Sequence, residues 1–207
     1  NQTINIGGVN NGDFSIEMYI YINSLQSSSE YELLRFIDST GELLHVGING
    51  NWSGLGGKYT ISFTGSTGSD VPVEYIGLGT PVSGQWLHIV WSSNVVDPVT
   101  SSIMSLYVNN TQHDFGYGGN RYKPELMKSI SATSNSIGAW ENGTYSFDGK
   151  IAYIRIWDGY TLTSSNVTEL YNNRENRNAY YYPDNFSVLR YVSEPEPEPV
   201  PEPLPEP

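Results

Sequence analysis

The sequence predicts an all-β protein: two antiparallel sheets packed face to face as a sandwich, one short helix near the C-terminal end, and an extended Pro-Glu tail. Three observations carry this. Short runs alternate apolar and polar residues, the period of a half-buried strand. Turn residues separate those runs at short intervals. Only one stretch shows the three-and-four spacing of an amphipathic helix.

The clearest strand is Phe14 to Ile22, in which Phe14, Ile16, Met18, Ile20 and Ile22 fall on one face. Similar runs follow at Tyr31 to Ile37, Glu42 to Ile48, Tyr59 to Phe63, Val73 to Ile76, Trp86 to Ser92, Ile103 to Val108, Asn135 to Ala139 and Lys150 to Trp157. Between them stand Ser39-Thr40-Gly41, Asn49-Gly50-Asn51, Gly65-Ser66-Thr67-Gly68 and Asn142-Gly143, whose glycines and asparagines accept positive φ. The helix is expected to begin near Thr163 or Ser164 and to run through Val167, Leu170 and Tyr171 to about Arg174, sealing one edge of the sandwich. The expected core comprises Phe14, Ile16, Met18, Ile20, Leu34, Phe36, Trp86, Ile89, Leu106, Ile151, Ile154 and Ile156.

Three units are expected: a sandwich domain over residues 1–178, an extended Tyr-rich connector over 179–193, and a Pro-Glu segment over 194–207. The last reads EPEPEPVPEPLPEP, where alternate prolines remove amide donors and fix φ, so it is neither helix nor central strand. As polyproline II it would span about 43 Å at roughly 3.1 Å per residue. It is expected to act as a spacer or to mediate self-association together with the connector.

Net charge is −12, and five of the acids, Glu194, Glu196, Glu198, Glu202 and Glu206, lie in the Pro-Glu segment, leaving the body negative as well. Such a surface repels phosphate, which argues against nucleic acid as a partner. No apolar stretch reaches the roughly 18 to 20 residues of a membrane span, so no membrane insertion is expected. Cysteine is absent, which removes disulfides, thiolate metal sites and thiol nucleophiles together. Asn-X-Ser/Thr sequons begin at Asn1, Asn51, Asn109, Asn142, Asn166 and Asn185, and are read either as surface glycosylation sites or as chance in an Asn- and Ser-rich chain.

Four segments, in order, resemble the laminin G-like, pentraxin-like branch of the concanavalin A-like lectin superfamily. GDFSIEMYIYINS at Gly12 to Ser24 is similar to its opening strand, and SGQWLHIVWSSN at Ser83 to Asn94 to its Trp-x-His strand. SLYVNN at Ser105 to Asn110 stands where the family has a Tyr-Val-Asp-Gly hairpin, with Asn109 in place of Asp. Ser136 to Asn173 resembles the closing strands, the Phe-x-Gly-x-Ile turn and the terminal helix. The resemblance implies a jelly-roll sandwich. It also implies a family habit of binding calcium through acidic loops, which by position resemble Asp38 on one side and Glu141 with Asn142 on the other; plain turn roles for Asp38 and Asn142 are the alternative.

The hydrolase device of this fold, paired carboxylates in a Glu-x-Asp-x-Glu arrangement, has no counterpart. Glu30 and Glu32 lack the intervening Asp and read as a solvated face, while His45, His88 and His113 are scattered without triad order or zinc spacing. No enzyme is expected. Aromatics at 13% pose the question of core against sugar platform. Trp86, Trp91 and Trp157 sit within strands and are expected to pack. Trp52, Tyr117, Tyr122 and Trp140 lie at loops, where they could stack on sugars with Asn120, Arg121 and Asn142 supplying hydrogen bonds, or could cover loop edges. The expected function is a non-catalytic recognition or adhesion module for glycans or glycoproteins, extracellular or at a cell or virion surface. The alternative is a structural subunit of a fibre or filament.

Overall fold

The computed structural model describes residues 4–6, 13–25, 30–38, 41–49, 58–64, 72–77, 80–97, 101–113, 122–123, 130–132, 134–139, 143 and 145–175. The strands are β1 Ile4–Ile6, β2 Phe14–Ile22, β3 Glu30–Asp38, β4 Gly41–Asn49, β5 Lys58–Thr64, β6 Pro72–Gly77 and β7 Trp86–Asp97. They continue with β8 Ser101–Val108, β9 Thr111–His113, β10 Tyr122–Lys123, β11 Ile130–Ala132, β12 Ser134–Ile137 and β13 Gly149–Asp158, and helix α1 spans Ser164–Asn172. The connector and the Pro-Glu segment lie outside the described residues.

Two antiparallel sheets make the sandwich. A six-stranded sheet has the order β10-β8-β7-β2-β13 with β9 added to β8, and a five-stranded sheet has the order β12-β3-β4-β5-β6; β1 and β11 form a separate pair. The central strand β2 pairs on one side with β7, setting Met18 opposite Ile89, and on the other with β13, setting Met18 opposite Ile154. Its inner residues Phe14, Ile16, Met18, Ile20 and Ile22 are sealed against Tyr31, Leu34, Phe36, Leu44, Val46, Ile48, Tyr59 and Ile61 of the facing sheet. Leu87, Ile89, Trp91, Met104 and Leu106 complete the same core.

Two β-bulges resolve conflicts of spacing. Leu33 and Leu34 are adjacent yet both buried, because the β3–β4 register shifts between Glu32 and Leu34. Ile151 and Ile154 are an odd number of residues apart yet both lean on the core, because β13 slips against β2 between Ile151 and Tyr153. Ile151, Ile154 and Ile156 are half-buried at this sheet edge, not fully enclosed.

Two expectations are corrected. Trp86 is not core: it is 38% exposed, because Leu87, Ile89 and Trp91 take the inward positions of β7 and leave Trp86 and His88 pointing outward. Glu32 is not on a solvated face: it is 1% exposed. The chain returning at Tyr145 is bonded onto β3 through Glu32 N–H, which donates to Tyr145 C=O at 2.9 Å, and Glu32 Oε1 lies 3.4 Å from His45 Nε2.

The outer face of the six-stranded sheet carries a second apolar cluster of Val90, Tyr107, Trp157, Leu162, Val167 and Leu170, which seats α1. Thr163 caps the helix: its hydroxyl accepts from Asn166 N–H, and Asn166 Oδ1 accepts from Thr163 N–H at 3.0 Å. The approach to the helix lies flat on the sheet because serines, not larger residues, stand beneath it. Leu162 N–H donates to Ser15 Oγ at 2.9 Å, Ser92 Oγ donates to Leu162 C=O at 2.9 Å, and Thr161 Oγ1 donates to Ser93 C=O at 2.6 Å. The β8–β9 turn places Asn109 and Asn110 at φ 48° and 64°, the type I′ geometry that asparagine tolerates.

Gly149 opens β13 where it approaches Tyr21 of β2 and the Phe147 ring closely. A Cβ there would sit 2.1 Å from Tyr21 C=O and 2.5 Å from the Phe147 ring, contacts that backbone cannot relieve without shifting β13 off β2. Gly149→Ala is therefore expected to cost about 2–3 kcal/mol, lowering Tm by roughly 5–10 °C in a domain of this size. Gly143→Ala, with open space around it but a φ of +79°, should cost less. Calorimetry of the two variants checks the order.

Next to Gly149, the Asp148 carboxylate accepts hydrogen bonds from Asn23 Nδ2 at 2.9 Å and from Ser24 Oγ, fastening the end of β2 to the start of β13. The Ser24 bond first, and then the Asn23 bond, hold its pKa below the ordinary carboxylate value. A lowered folded-state pKa stabilises above the unfolded value, near 3.9, and that stability is lost as pH falls through the folded value. Asp148→Asn should thus flatten the acid limb of a stability curve between about pH 5 and pH 2 without steepening it above pH 6.

Candidate functional site

The sequence-predicted loop site cannot be assembled from the described residues. Trp52, Tyr117, Asn120, Arg121, Trp140, Glu141 and Asn142 lie outside them, as do the sequon residues Asn1, Asn51 and Asn185. Tyr122 is placed by its backbone alone, in β10 opposite Ile103. Asp38 ends β3 opposite Gly41. Among the described residues no group of three or more His, Cys, Asp or Glu gathers that could hold a metal ion. Asn109 Oδ1 accepts from His88 N–H at 3.0 Å and Asn166 forms the helix cap, so both described sequon residues have local structural roles.

The structure gathers a different set on the outer face of β7, β2 and β13. Register places Tyr21 opposite Trp86 and Tyr19 opposite both His88 and Tyr153, and Arg155 opposite Glu17. Because opposed residues share a face, three neighbouring strands contribute aromatic and ionisable groups to one surface. Trp86 stacks on Tyr19 with ring centroids 4.8 Å apart and an interplanar angle of 28°. Tyr21 meets the Trp86 edge at 5.6 Å, and Tyr153 lies 5.8 Å from Tyr19. Cations line this row: Lys150 Nζ is 5.6 Å from the Tyr21 centroid and the Arg155 guanidinium 4.2 Å from that of Tyr153.

Beneath the rings the Glu17 carboxylate is fully buried and accepts three hydrogen bonds. His88 Nε2 donates to Oε1 at 2.7 Å, Tyr153 OH donates to the same oxygen at 3.0 Å, and Arg155 Nη1 donates to Oε2 at 3.2 Å. A carboxylate only accepts, so Nε2 carries the His88 hydrogen, and His88 Nδ1 is left buried without a hydrogen-bond partner among the described residues. Burial, and then the charge of Glu17, hold the Tyr153 phenol well above the ordinary tyrosine range, so it remains a donor. Tyr19 is also raised, by burial and then by the Glu175 carboxylate.

The end of α1 forms the rim. Tyr171 packs 5.8 Å from the His88 ring, and Arg174 lies 4.1 Å over Tyr171 while donating to Tyr171 C=O at 2.7 Å. Arg174 also pairs with Glu175 at 3.6 Å. Between sheet and rim lies an open depression of about 360 Å³, lined by Tyr19, Trp86, Ala152, Tyr153, Arg174 and Glu175. It offers aromatic faces for stacking, and an acid and a base that can accept from and donate to adjacent hydroxyls.

The arrangement of sheets, helix and closing strands has a counterpart at the level of family. The laminin G model of the concanavalin A-like lectin/glucanases superfamily matches residues 1–168. The chain belongs to this superfamily. No curated protein matches it in sequence. Among solved structures, it is similar to a native heptameric SAP-like pentraxin from Limulus polyphemus at 14% identity and TM-score 0.54, covering 82% of this chain and 72% of the pentraxin. It is similar to the CBM40 of a Ruminococcus gnavus IT-sialidase, solved with alpha2,3 sialyllactose bound, at 11% identity and TM-score 0.51, over 77% and 82% of the two chains. A Trypanosoma rangeli sialidase matches at 18% identity and TM-score 0.50 over 80% of this chain, which spans 23% of that enzyme. At these identities the likeness is one of fold.

The outward residues of β2, β7 and β13 were missed as a site although their signal is present. Glu17-Tyr19-Tyr21, Trp86-His88 and Tyr153-Arg155 occupy the alternate positions where a solvated sandwich face would carry Ser, Thr or Lys. Removal of the carboxylate tests the network. Glu17→Ala is expected to cost about 3 kcal/mol, because it leaves Arg155, His88 and Tyr153 without their shared acceptor. Combining it with Arg155→Met should recover part of that loss. Urea titrations with an unchanged slope would read both effects as stability.

Proposed function

We propose that the chain is a non-catalytic glycan-binding module that acts outside the cytoplasm, at a cell or virion surface, and that its sugar site is the depression beside Trp86. The observation that carries this reading is the 38% exposure of Trp86, stacked on Tyr19, within an open depression that also presents Arg174 and Glu175. Sugars present apolar C–H faces to aromatic rings and hydroxyl edges to charged side chains, and the depression supplies both. The lectin-like fold of the superfamily and its likeness to a carbohydrate-binding module support the same reading. Binding without hydrolysis is favoured because Glu17, the carboxylate beneath the rings, is buried and committed to three donors, whereas glycoside hydrolysis uses two carboxylates flanking the scissile bond.

A glycan array followed by calorimetric titration of the best ligand tests the proposal. Trp86→Ala should weaken that ligand about tenfold or more, equivalent to about 1.4 kcal/mol or more, while leaving Tm within a few degrees because the ring is a surface one. Equal affinity in the variant would place the site elsewhere, and no ligand on the array would remove the reading.

A further inference from the structure

We propose that the aromatic row Tyr21–Trp86–Tyr19–Tyr153, with its flanking cations, is the docking surface for the chain's own Pro-Glu segment, residues 194–207. Polyproline II segments are recognised by surfaces of exposed aromatic rings, since the helix is pre-ordered and its proline faces stack without further loss of entropy. This row offers such a surface: Trp86 is exposed and Tyr21 and Tyr153 are half-buried, with Tyr19 buried beneath Trp86 as their support, at centroid spacings of 4.8 to 5.8 Å across three hydrogen-bonded strands.

Charge points to the same occupant. The chain carries 10 Lys and Arg against 22 Asp and Glu, yet Lys150, Arg155 and Arg174 all border this face. The opposing acids there are Glu17, buried and paired with Arg155 at 3.2 Å, and Glu175, which pairs with Arg174 at 3.6 Å, so among these described groups three cations stand against two acids. The segment supplies the complement. With three residues per turn, each face of a polyproline II helix repeats every third residue, about 9 Å along its axis. One face then reads Glu196, Pro199, Glu202, Pro205 and another Glu194, Pro197, Val200, Pro203, Glu206, so glutamates interleave with apolar residues as cations interleave with rings on the sheet.

Connectivity favours the chain's own segment. Glu175 lines the depression, and 18 residues, 176–193, separate it from Glu194. A tether of that length holds its end at roughly millimolar effective concentration, so an intrinsic Kd near a millimolar suffices. The inference needs only the rings and cations and does not rest on the glycan reading. Since both ligands use the same ring faces, a docked segment and a bound sugar exclude one another.

The test follows the Trp86 indole Nε1–H by nuclear magnetic resonance in the full chain, one of five such signals and assigned by its loss in Trp86→Phe. It is compared with a full chain carrying Glu194→Lys, Glu196→Lys, Glu198→Lys, Glu202→Lys and Glu206→Lys. The Trp86 signal should differ between the two chains and should converge on the charge-reversed position as salt is raised to about 0.5 M, where surface charges are screened within a few ångströms. The Trp91 and Trp157 signals should stay in place. A peptide of sequence Ser193 to Pro207, added at millimolar concentration to the charge-reversed chain, should restore the native position. Arg174→Glu should weaken that peptide about tenfold and Glu175→Gln should tighten it. A Trp86 signal indifferent to charge reversal overturns the proposal, as it would if residues 176–193 already covered the row. Peptide binding unchanged by Arg174→Glu overturns it too. A chain whose Trp86 responds to its tail yet binds no glycan keeps this inference and ends the glycan reading.

Discussion

A carboxylate buried on the outward face of the central strand sets the terms for this side of the molecule. Taking Glu17 out of water costs several kcal/mol unless donors replace its hydration, and β2 alone has none to offer. The donors come from both neighbouring strands: His88 from β7, and Tyr153 and Arg155 from β13. The network therefore ties three strands together through side chains on the face opposite the core. It also fixes the tilt of the rings above it, since Tyr153 is held by its hydroxyl and stacks toward Tyr19, which in turn stacks on Trp86. A sheet whose inner face is apolar could have left its outer face to water. Here the outer face is a second, polar-cored packing layer.

That layer is divided in two by residue size. Where Ser15 and Ser92 stand on the sheet, the chain at Thr161 and Leu162 crosses in direct hydrogen-bond contact and delivers α1 onto Val90, Tyr107 and Trp157. Four residues further along β2 and six back along β7 the outward side chains are Tyr19 and Trp86, with Tyr153 beside them on β13, too large for a chain to cross at that distance. The helix covers the small-residue half and ends at Asn172, so that Arg174 and Glu175 form a rim and do not become a lid. Helix position and exposed platform are thus two results of one register.

The sequence revealed most of the architecture because its signals were local. Alternation located β2 to the residue, and the helix start was expected near Thr163 or Ser164, where Thr163 caps it. What it hid depended on neighbours. Trp86 has the same composition signal as Trp91, and only counting inward from Leu87 and Ile89 shows that it must face out. The paired placement of Leu33 with Leu34, and of Ile151 with Ile154, needs bulges that alternation cannot foresee. Glu32 read as solvated because nothing near it in sequence reports that Tyr145 returns across β3. The candidate surface was harder still: His88 and Arg155 are 71 and 138 residues from their acceptor Glu17 in the chain, and only strand pairing brings them within 3.2 Å. Loop aromatics drew the eye because loops carry ligands in many sandwiches. Here the rings gathered around the depression, Trp86 and Tyr153, are on strands.

A strand-borne platform differs physically from a loop-borne one. Ordering a loop on binding costs side-chain and backbone freedom that the ligand must offset, whereas rings held by ladder hydrogen bonds and by a buried carboxylate have already lost it on folding. The same rigidity limits what the surface can accept. Ring centroids fixed at 4.8 to 5.8 Å cannot close around a compact ligand, so they favour one that is itself extended and presents flat apolar faces at regular intervals. A sugar chain and a polyproline II helix both meet that requirement. If both bind as proposed, the cations along the edge would discriminate between them by charge, drawing a segment rich in glutamate more strongly than a neutral glycan at low salt and losing that preference as screening increases. On the docking proposed above, selection at this face would be set by ionic strength as much as by shape, a consequence of placing Lys150, Arg155 and Arg174 beside aromatic rings in a chain that is otherwise strongly acidic.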